Sequence, residues 1–375
     1  MENCLGIITM GSMDKQESNF GPLCKKRPIY MLPFGGRYRL IDFTISNMVN
    51  HGISTVAVYT GDKIRSTMDH LGNGKPWDLN RRFNGLFLYP PLHNSSSRKG
   101  EIAELYSTLD FFNNAKDENV LLIHPNYLGS VNLKEAYAEF IEKDSDMTLI
   151  YKKKVDPWGQ YVNCDKLIMD KNNKFKNIGI NLGTEQEFNM YIGMILLKKK
   201  VLLEILKKAI EDGESTYLKE AIIAYKHEYK INTYEFKGHI EVINDLKNFY
   251  DANLNLLSKE ISQELFFSGG PVFTKTKDEP STFYSEDSQV YNSLVANGCI
   301  IEGTVENCIV FRGVKIGKNA IVKNSILMQK SVVHDNAIVV NTIMDKYSSI
   351  GEGLRITGNS SMPYVVEKSK ELRKD

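Results

Sequence analysis

Ile316-Gly317-Lys318-Asn319-Ala320-Ile321-Val322-Lys323-Asn324-Ser325-Ile326-Leu327-Met328 is the stretch on which the fold turns. Ile316, Val322 and Met328 recur every six residues, and Ala320 and Ile326 each follow four positions behind one of them. The pattern extends both ways, to Val310 upstream and to Val333, Val339, Ile350 and Ile356 downstream. Val314, Val332, Ala337, Ile343 and Leu354 continue the second series. A glycine follows the aliphatic at Ile316-Gly317 and Ile350-Gly351. A hexapeptide period predicts a parallel β-helix, whose coils stack to bury one continuous aliphatic column. The reading covers 291–375, starting at about Tyr291. Such helices occur in acyltransferases, which need a histidine near a coil junction. His334 is the only histidine of this region and reads as an exposed loop residue.

Upstream the texture differs. Leu5–Met10 reads as a buried strand, a helix follows Asp42, and Ser54–Tyr59 is a second strand. Ile102, Leu105, Leu109 and Phe112 give helical spacing over 101–115, and Asn119–Ile123 is a short apolar run suited to a central parallel strand. Leu133, Ala136, Tyr137 and Phe140 mark another helix, Met147–Tyr151 another strand, and Asn244–Ser258 a closing helix. Alternating strand and helix predicts a mostly parallel α/β sheet with helices on both faces over residues 1–258. Ligands of such sheets sit beyond the carboxyl ends of the strands, which places a site just after Met10, Ile123 and Leu196. Residues 259–290, with Ser268-Gly269-Gly270-Pro271 and Glu279-Pro280-Ser281, read as an ordered connector with little regular structure.

Composition narrows the function classes. A chain of 375 residues exceeds the usual single core, so two domains are expected. A net charge of +1 supplies no broad field for nucleic acid or a membrane surface. No apolar run approaches the roughly 20 residues that span a bilayer. The opening Met1-Glu2-Asn3-Cys4-Leu5 lacks a basic and apolar leader pattern. Cys4, Cys24, Cys164, Cys299 and Cys308 are scattered without CxxC spacing, and read as reduced thiols of a cytoplasmic protein. Lys152-Lys153-Lys154 and Lys198-Lys199-Lys200 read as solvated faces. Arg81-Arg82 and Arg98-Lys99-Gly100 fall on loops, serving solubility or contacting a partner or an anion. Glu101 and Glu104 favour a helix dipole.

A second stretch carries more. Phe34-Gly35-Gly36-Arg37-Tyr38-Arg39-Leu40-Ile41-Asp42-Phe43, continuing through Ser46-Asn47 to Asn50-His51-Gly52, resembles a long phrase of the ADP-glucose pyrophosphorylase (glucose-1-phosphate adenylyltransferase) family. The resemblance extends, with gaps, over nearly the whole chain. It implies a nucleotidyltransferase-type domain followed by a left-handed β-helix. It also implies a chemistry, synthesis of ADP-glucose from ATP and glucose 1-phosphate in bacterial glycogen formation.

Matched against the family, the reacting positions differ. Its GGxGxRL phosphate loop corresponds to Met10–Phe20, which keeps Gly11, has no Arg and adds Asp14 and Glu17. Its KRAKP survives as Lys26-Arg27-Pro28-Ile29-Tyr30, so Gly11, Lys26 and Arg27 are vestigial nucleotide positions. One metal carboxylate has become Asn126, which offers oxygen without charge. Counting back from Ala252-Asn253-Leu254-Asn255-Leu256 places Val242 at the second. The sugar-phosphate Lys falls near Gly179-Ile180-Asn181. The resemblance therefore implies a non-catalytic subunit without its own metal, Mg²⁺ serving only a catalytic partner in a hetero-oligomer, a tetramer. It further implies an anionic sugar phosphate or nucleotide effector between the domains, near Arg37, Arg39, Lys346, Lys370 and Arg373. An active nucleotidyltransferase with a divergent site is the alternative.

Overall fold

The computed structural model describes residues 1, 3–82, 84–91 and 100–373, so the Arg98-Lys99 pair lies outside the described residues. Nine strands form the first sheet: β1 (Cys4–Ile8), β2 (Thr55–Tyr59), β3 (Gly85–Tyr89), β4 (Asn119–Ile123), β5 (Met147–Val155), β6 (Asp165–Met169), β7 (Phe175–Ile180), β8 (Glu187–Lys198) and β9 (Ile231–Glu235). β4, β1, β2 and β3 lie side by side and parallel, with Ile7 opposite both Ala57 and Leu122. Every residue of β1, β2 and β4 is buried, which explains their unbroken apolar runs.

β8 corrects one expectation. It runs antiparallel to β4, pairing Met194 with Ile123 and Lys198 with Asn119. Leu196 is therefore not at the ligand-facing end. Gly193 is, and its carbonyl accepts the His124 N–H at 2.9 Å. The helical pattern at 101–115 is also interrupted, giving helices Glu101–Tyr106 and Leu109–Asn114.

The stretch 259–290 holds more structure than its composition indicates. Ser258 caps a helix over Lys259–Phe267, whose Leu265 is buried and whose Ile261 and Phe266 pack on the α/β core. The β-helix itself begins at Phe283–Tyr284, which pairs with Ile300–Ile301, eight residues before the aliphatic period becomes readable.

Three parallel sheets form the β-helix faces. Ile301, Ile316, Val333, Ile350 and Leu372 stack on one face and Val305, Val322, Val339 and Ile356 on the next. Val310, Leu327, Met344 and Val366 line the third, so Leu327 points inward where the count of six put Met328, because the step from Val322 is five residues. One corner repeats Asn292, Asn307, Asn324 and Asn341, all with positive φ, a conformation Asn tolerates better than most residues.

On the third face, outward-pointing residues are buried too. Ile309, Phe311, Ile326, Met328 and Ile343 share one core with Phe34, Phe249 and Leu256 of the α/β part. The Gly35-Gly36 hairpin, between strands Pro33–Phe34 and Tyr38–Arg39, sits at this seam. Both glycines have positive φ, and a Cβ on Gly35 would meet Leu256 and Phe266 at 3.1 Å. The pair therefore lets backbone approach neighbouring protein.

Candidate functional site: a self-filled crevice and a cationic corner

The crevice beyond β1 and β4 is occupied by the chain's own side chains. Glu101, from the start of its helix, is 3% exposed. It accepts hydrogen bonds from Thr9 Oγ1 (2.5 Å), the Leu218 N–H (2.8 Å) and His124 Nε2 (3.2 Å). Burial pushes its carboxyl up, but the His124 bond and charge, the Thr9 hydroxyl and the Leu218 amide together hold it below the usual range. Thus Glu101 does more than favour a helix dipole. His124 in turn lies against Gly11, where an added Cβ would come within 2.7 Å of Nε2.

The segment after Gly11 winds in 3-10 turns to Cys24, broken at Gly21 and anchored by buried Phe20 and Leu23. Glu17 is ion-paired with Lys63. The Asp14 carboxylate lies outside the described side chains. Of the positions expected for a vestigial nucleotide site, Gly11 is covered by His124 and Lys26 is exposed. Arg27 turns the other way, into a buried ion pair with Asp345 of the β-helix.

At the expected metal position, Asn126 is 4% exposed and donates Nδ2 to Asn244 Oδ1 at 2.9 Å. Asn244 passes the chain on to Cys164 Sγ at 3.1 Å. Val242 pairs through its backbone with Tyr127, and the Ile243 N–H bonds the Asn126 carbonyl at 2.8 Å. The residue facing the Asn126 amide is thus Asn244, two beyond the position counted from sequence. Oδ1 of Asn126 has no partner, but the donors around it are neutral amides, which do not fit a hard divalent cation. Asn181 is fully buried and holds a turn, donating to the Tyr161 carbonyl and accepting the Gly183 N–H, both at 3.0 Å.

The domain junction has opposite chemistry. Arg27 and Arg312 are buried at its base, Arg39 and Lys346 are half-buried, and Arg37 and Lys277 are exposed at its rim. Asp345 is engaged by Arg27, while Asp42 accepts the Arg39 N–H (2.9 Å) and His70 Nε2 (2.5 Å). Arg39 donates to the Met31 carbonyl at 2.9 Å, and Arg37 lies over the Tyr38 ring. Burial, followed by the charges of Arg39 and Arg27, lowers the Lys346 ammonium to about 6. Arg39 is lowered to about 10, again by burial first and Arg27 next.

Sequence reasoning named Arg37, Arg39 and Lys346 for this corner and missed Lys277 and Arg312. Arg312 had a signal: a charged residue directly after the buried Phe311, inside the aliphatic period. Lys370 and Arg373 are exposed, Arg373 being paired with Glu371 at 2.7 Å and Lys370 lying near Glu367, which binds Lys25.

Fold and site together define a nucleotidyltransferase-type domain carrying a hexapeptide β-helix. The nucleotidyl transferase family profile matches residues 18–161, and the GlmU-like C-terminal hexapeptide profile matches residues 279–362, in keeping with a left-handed β-helix. The chain is 32% identical over 348 residues to the glycogen biosynthesis protein GlgD of Bacillus subtilis (strain 168), covering 92% of this chain and 91% of that protein. It is 33% identical over 304 residues to GlgD of Geobacillus stearothermophilus, covering 80% and 78%. A glucose-1-phosphate adenylyltransferase of Clostridium perfringens (strain SM101 / Type A) is 30% identical over 383 residues, covering 98% and 97%. The chain belongs to the GlgD-like ADP-glucose pyrophosphorylase family, whose role is in glycogen synthesis. Among the described residues, no helix is long and apolar enough to cross a membrane.

Proposed function

We propose that this chain is the non-catalytic, regulatory subunit of a cytoplasmic ADP-glucose pyrophosphorylase, joining a catalytic paralogue in a heterotetramer. The observation that carries the reading is the Asn126–Asn244 amide bond. The family resemblance sets Asn126 at a metal position, where phosphoryl-type transfer needs charged ligands, and neutral amides cannot balance a cation bridging phosphates. The His124–Glu101–Thr9 cluster adds to it, since a buried carboxylate in the crevice opposes a triphosphate. The similarity to the GlgD proteins points the same way.

In this reading the regulatory ligand is an anionic sugar phosphate or nucleotide, held at the junction by Arg37, Arg39, Arg312, Lys277 and Lys346. Guanidinium groups offer paired donors to a phosphate, and cations crowded around few free carboxylates favour an anion. The test is co-expression with the catalytic paralogue, followed by mass measurement and assay with and without this chain. A complex whose activity or effector response differs from the paralogue alone is expected. Turnover by this chain alone would instead support the active-enzyme alternative.

A further inference from the structure

Arg312, Gln329, Lys346 and Lys368 stack at one corner of the β-helix, one from each of four successive coils. The carbonyls of Arg312, Gln329 and Lys346 accept the N–H groups of Lys330, Tyr347 and Ser369 at 3.1, 3.1 and 3.0 Å, which fixes the alignment. Neighbouring coils lie about 4.8 Å apart, so each side chain leaves the helix beside the next. Arg27 and Arg39 bring their charges to this ladder from the α/β part.

Lys346 is half-buried, and among the described residues no hydrogen bond or ion pair holds its Nζ. The carboxylate next to it is already spent. Asp345 gives one oxygen to Arg27 and the other to the Lys346 backbone N–H at 2.7 Å. The charges facing the amine are those of Arg39, Arg27 and Lys277, opposed by Asp345, with His70 close by on Asp42. Two buried atoms nearby are also unpartnered among the described residues, Nη1 of Arg27 and Oε1 of Gln329. A desolvated lysine among other cations is held neutral and nucleophilic, which is how proteins activate an amine. The rim cations Arg37 and Lys277 and the half-buried Arg39 suit a phosphate beside it. Gln329 Oε1, one coil below, is an acceptor in want of a donor, and an acylated lysine keeps one N–H to give it.

We propose that Lys346 is a modification site, its Nζ acylated by a small acyl phosphate drawn to the cationic corner. The amine lone pair attacks the carbonyl carbon, and the N–C bond forms as the C–O bond to phosphate breaks. The phosphate leaves with that electron pair and takes up the proton that the nitrogen sheds. The resulting amide cannot be protonated, so the corner loses a charge that an anion would call up, and it binds an anionic effector more weakly. The phosphate leaving group rests on the anion reading above, whereas the reactivity of the amine does not.

The test incubates the full-length chain with acetyl phosphate, or with the uncharged reagent N-succinimidyl acetate, and maps acetylation by peptide mass spectrometry. With acetyl phosphate at pH 7.5, Lys346 should react about tenfold faster than the exposed Lys200. Its rate should level off above about pH 7 while that of Lys200 keeps rising, and inorganic phosphate should slow it. A Lys346 no faster than Lys200, a rate climbing in step with Lys200, or a rate that inorganic phosphate leaves unchanged each overturns the proposal. Calorimetry of a phosphate effector on the same preparations separates the two readings. An effector that binds while neither reagent acetylates Lys346 sinks the modification alone. Rapid acetylation by the uncharged reagent only, with no effector bound, sinks the anion reading and the acyl phosphate with it.

Discussion

The crevice and the corner lie in one molecule and solve charge in opposite ways. In the crevice the buried Glu101 has three donors from the same chain, and the half-buried Glu17 has Lys63. At the corner cations outnumber the carboxylates free to meet them, and Lys346 gives up its proton near neutrality instead of finding a counter-ion. A carboxylate held by three donors is compensated within the chain. A region left short of negative charge gains stability when one arrives.

The sharpest break of this contrast is at Arg27, among the described residues the corner cation held in an ion pair. Arg27→Met leaves Asp345 buried and unpaired, which costs about 3–5 kcal/mol. The urea midpoint should fall accordingly, and an unchanged midpoint would show that the pair is not a structural tie.

The next effect is in the crevice. Glu101→Ala strands the Thr9, His124 and Leu218 donors and should cost about 1–3 kcal/mol. Because its folded pKa is depressed, Glu101 contributes stability that is present above about 4.5 and lost as pH falls through the lowered value. Stability curves of wild type and Glu101→Gln should therefore converge on acidification. Parallel curves between pH 6 and pH 3 would remove Glu101 as the source.

At the corner the effect is about tenfold in affinity, or about 1.4 kcal/mol. Arg37→Ala, at the exposed rim, should weaken a phosphate effector by that factor. Since an anion favours the charged form of Lys346, binding at pH 7.5 should take up a proton. Calorimetry in two buffers of different ionisation enthalpy reads this out, and buffer-independent heats would exclude Lys346. The smallest expected effect is none at all: Asn126→Asp still faces the neutral Asn244 and should leave turnover with Mg²⁺, ATP and glucose 1-phosphate at background. A rate near 1 s⁻¹, ordinary for an enzyme, would overturn the non-catalytic reading.

The β-helix was legible because its period is written in one dimension, the inward aliphatics recurring every five or six residues from Val310 to Ile356. Its first coil was not, since Phe283, Tyr284 and Tyr291 are exposed aromatics that carry no such period. Asn126 could be read from a motif, but Asn244 could not, because the strand register of Val242 against Tyr127 decides which side chain faces it. Arg27 showed the same limit. Its motif spoke for a nucleotide, while its partner Asp345 lies on the far side of the chain and is found only by folding. Lys277 hid in a stretch read as connector, where no pattern distinguishes a rim cation from a soluble one.

The core shared between the β-helix face and the α/β part has a consequence for the covalent chain. The exposed link around Lys275–Asp278 is the natural place for a protease to cut. Such a cut divides the backbone but not the apolar contact of Phe311, Met328 and Ile343 with Phe249 and Leu256, nor the Arg27–Asp345 pair. The two fragments form a complementing pair that migrates as one particle under native conditions and as two bands in detergent.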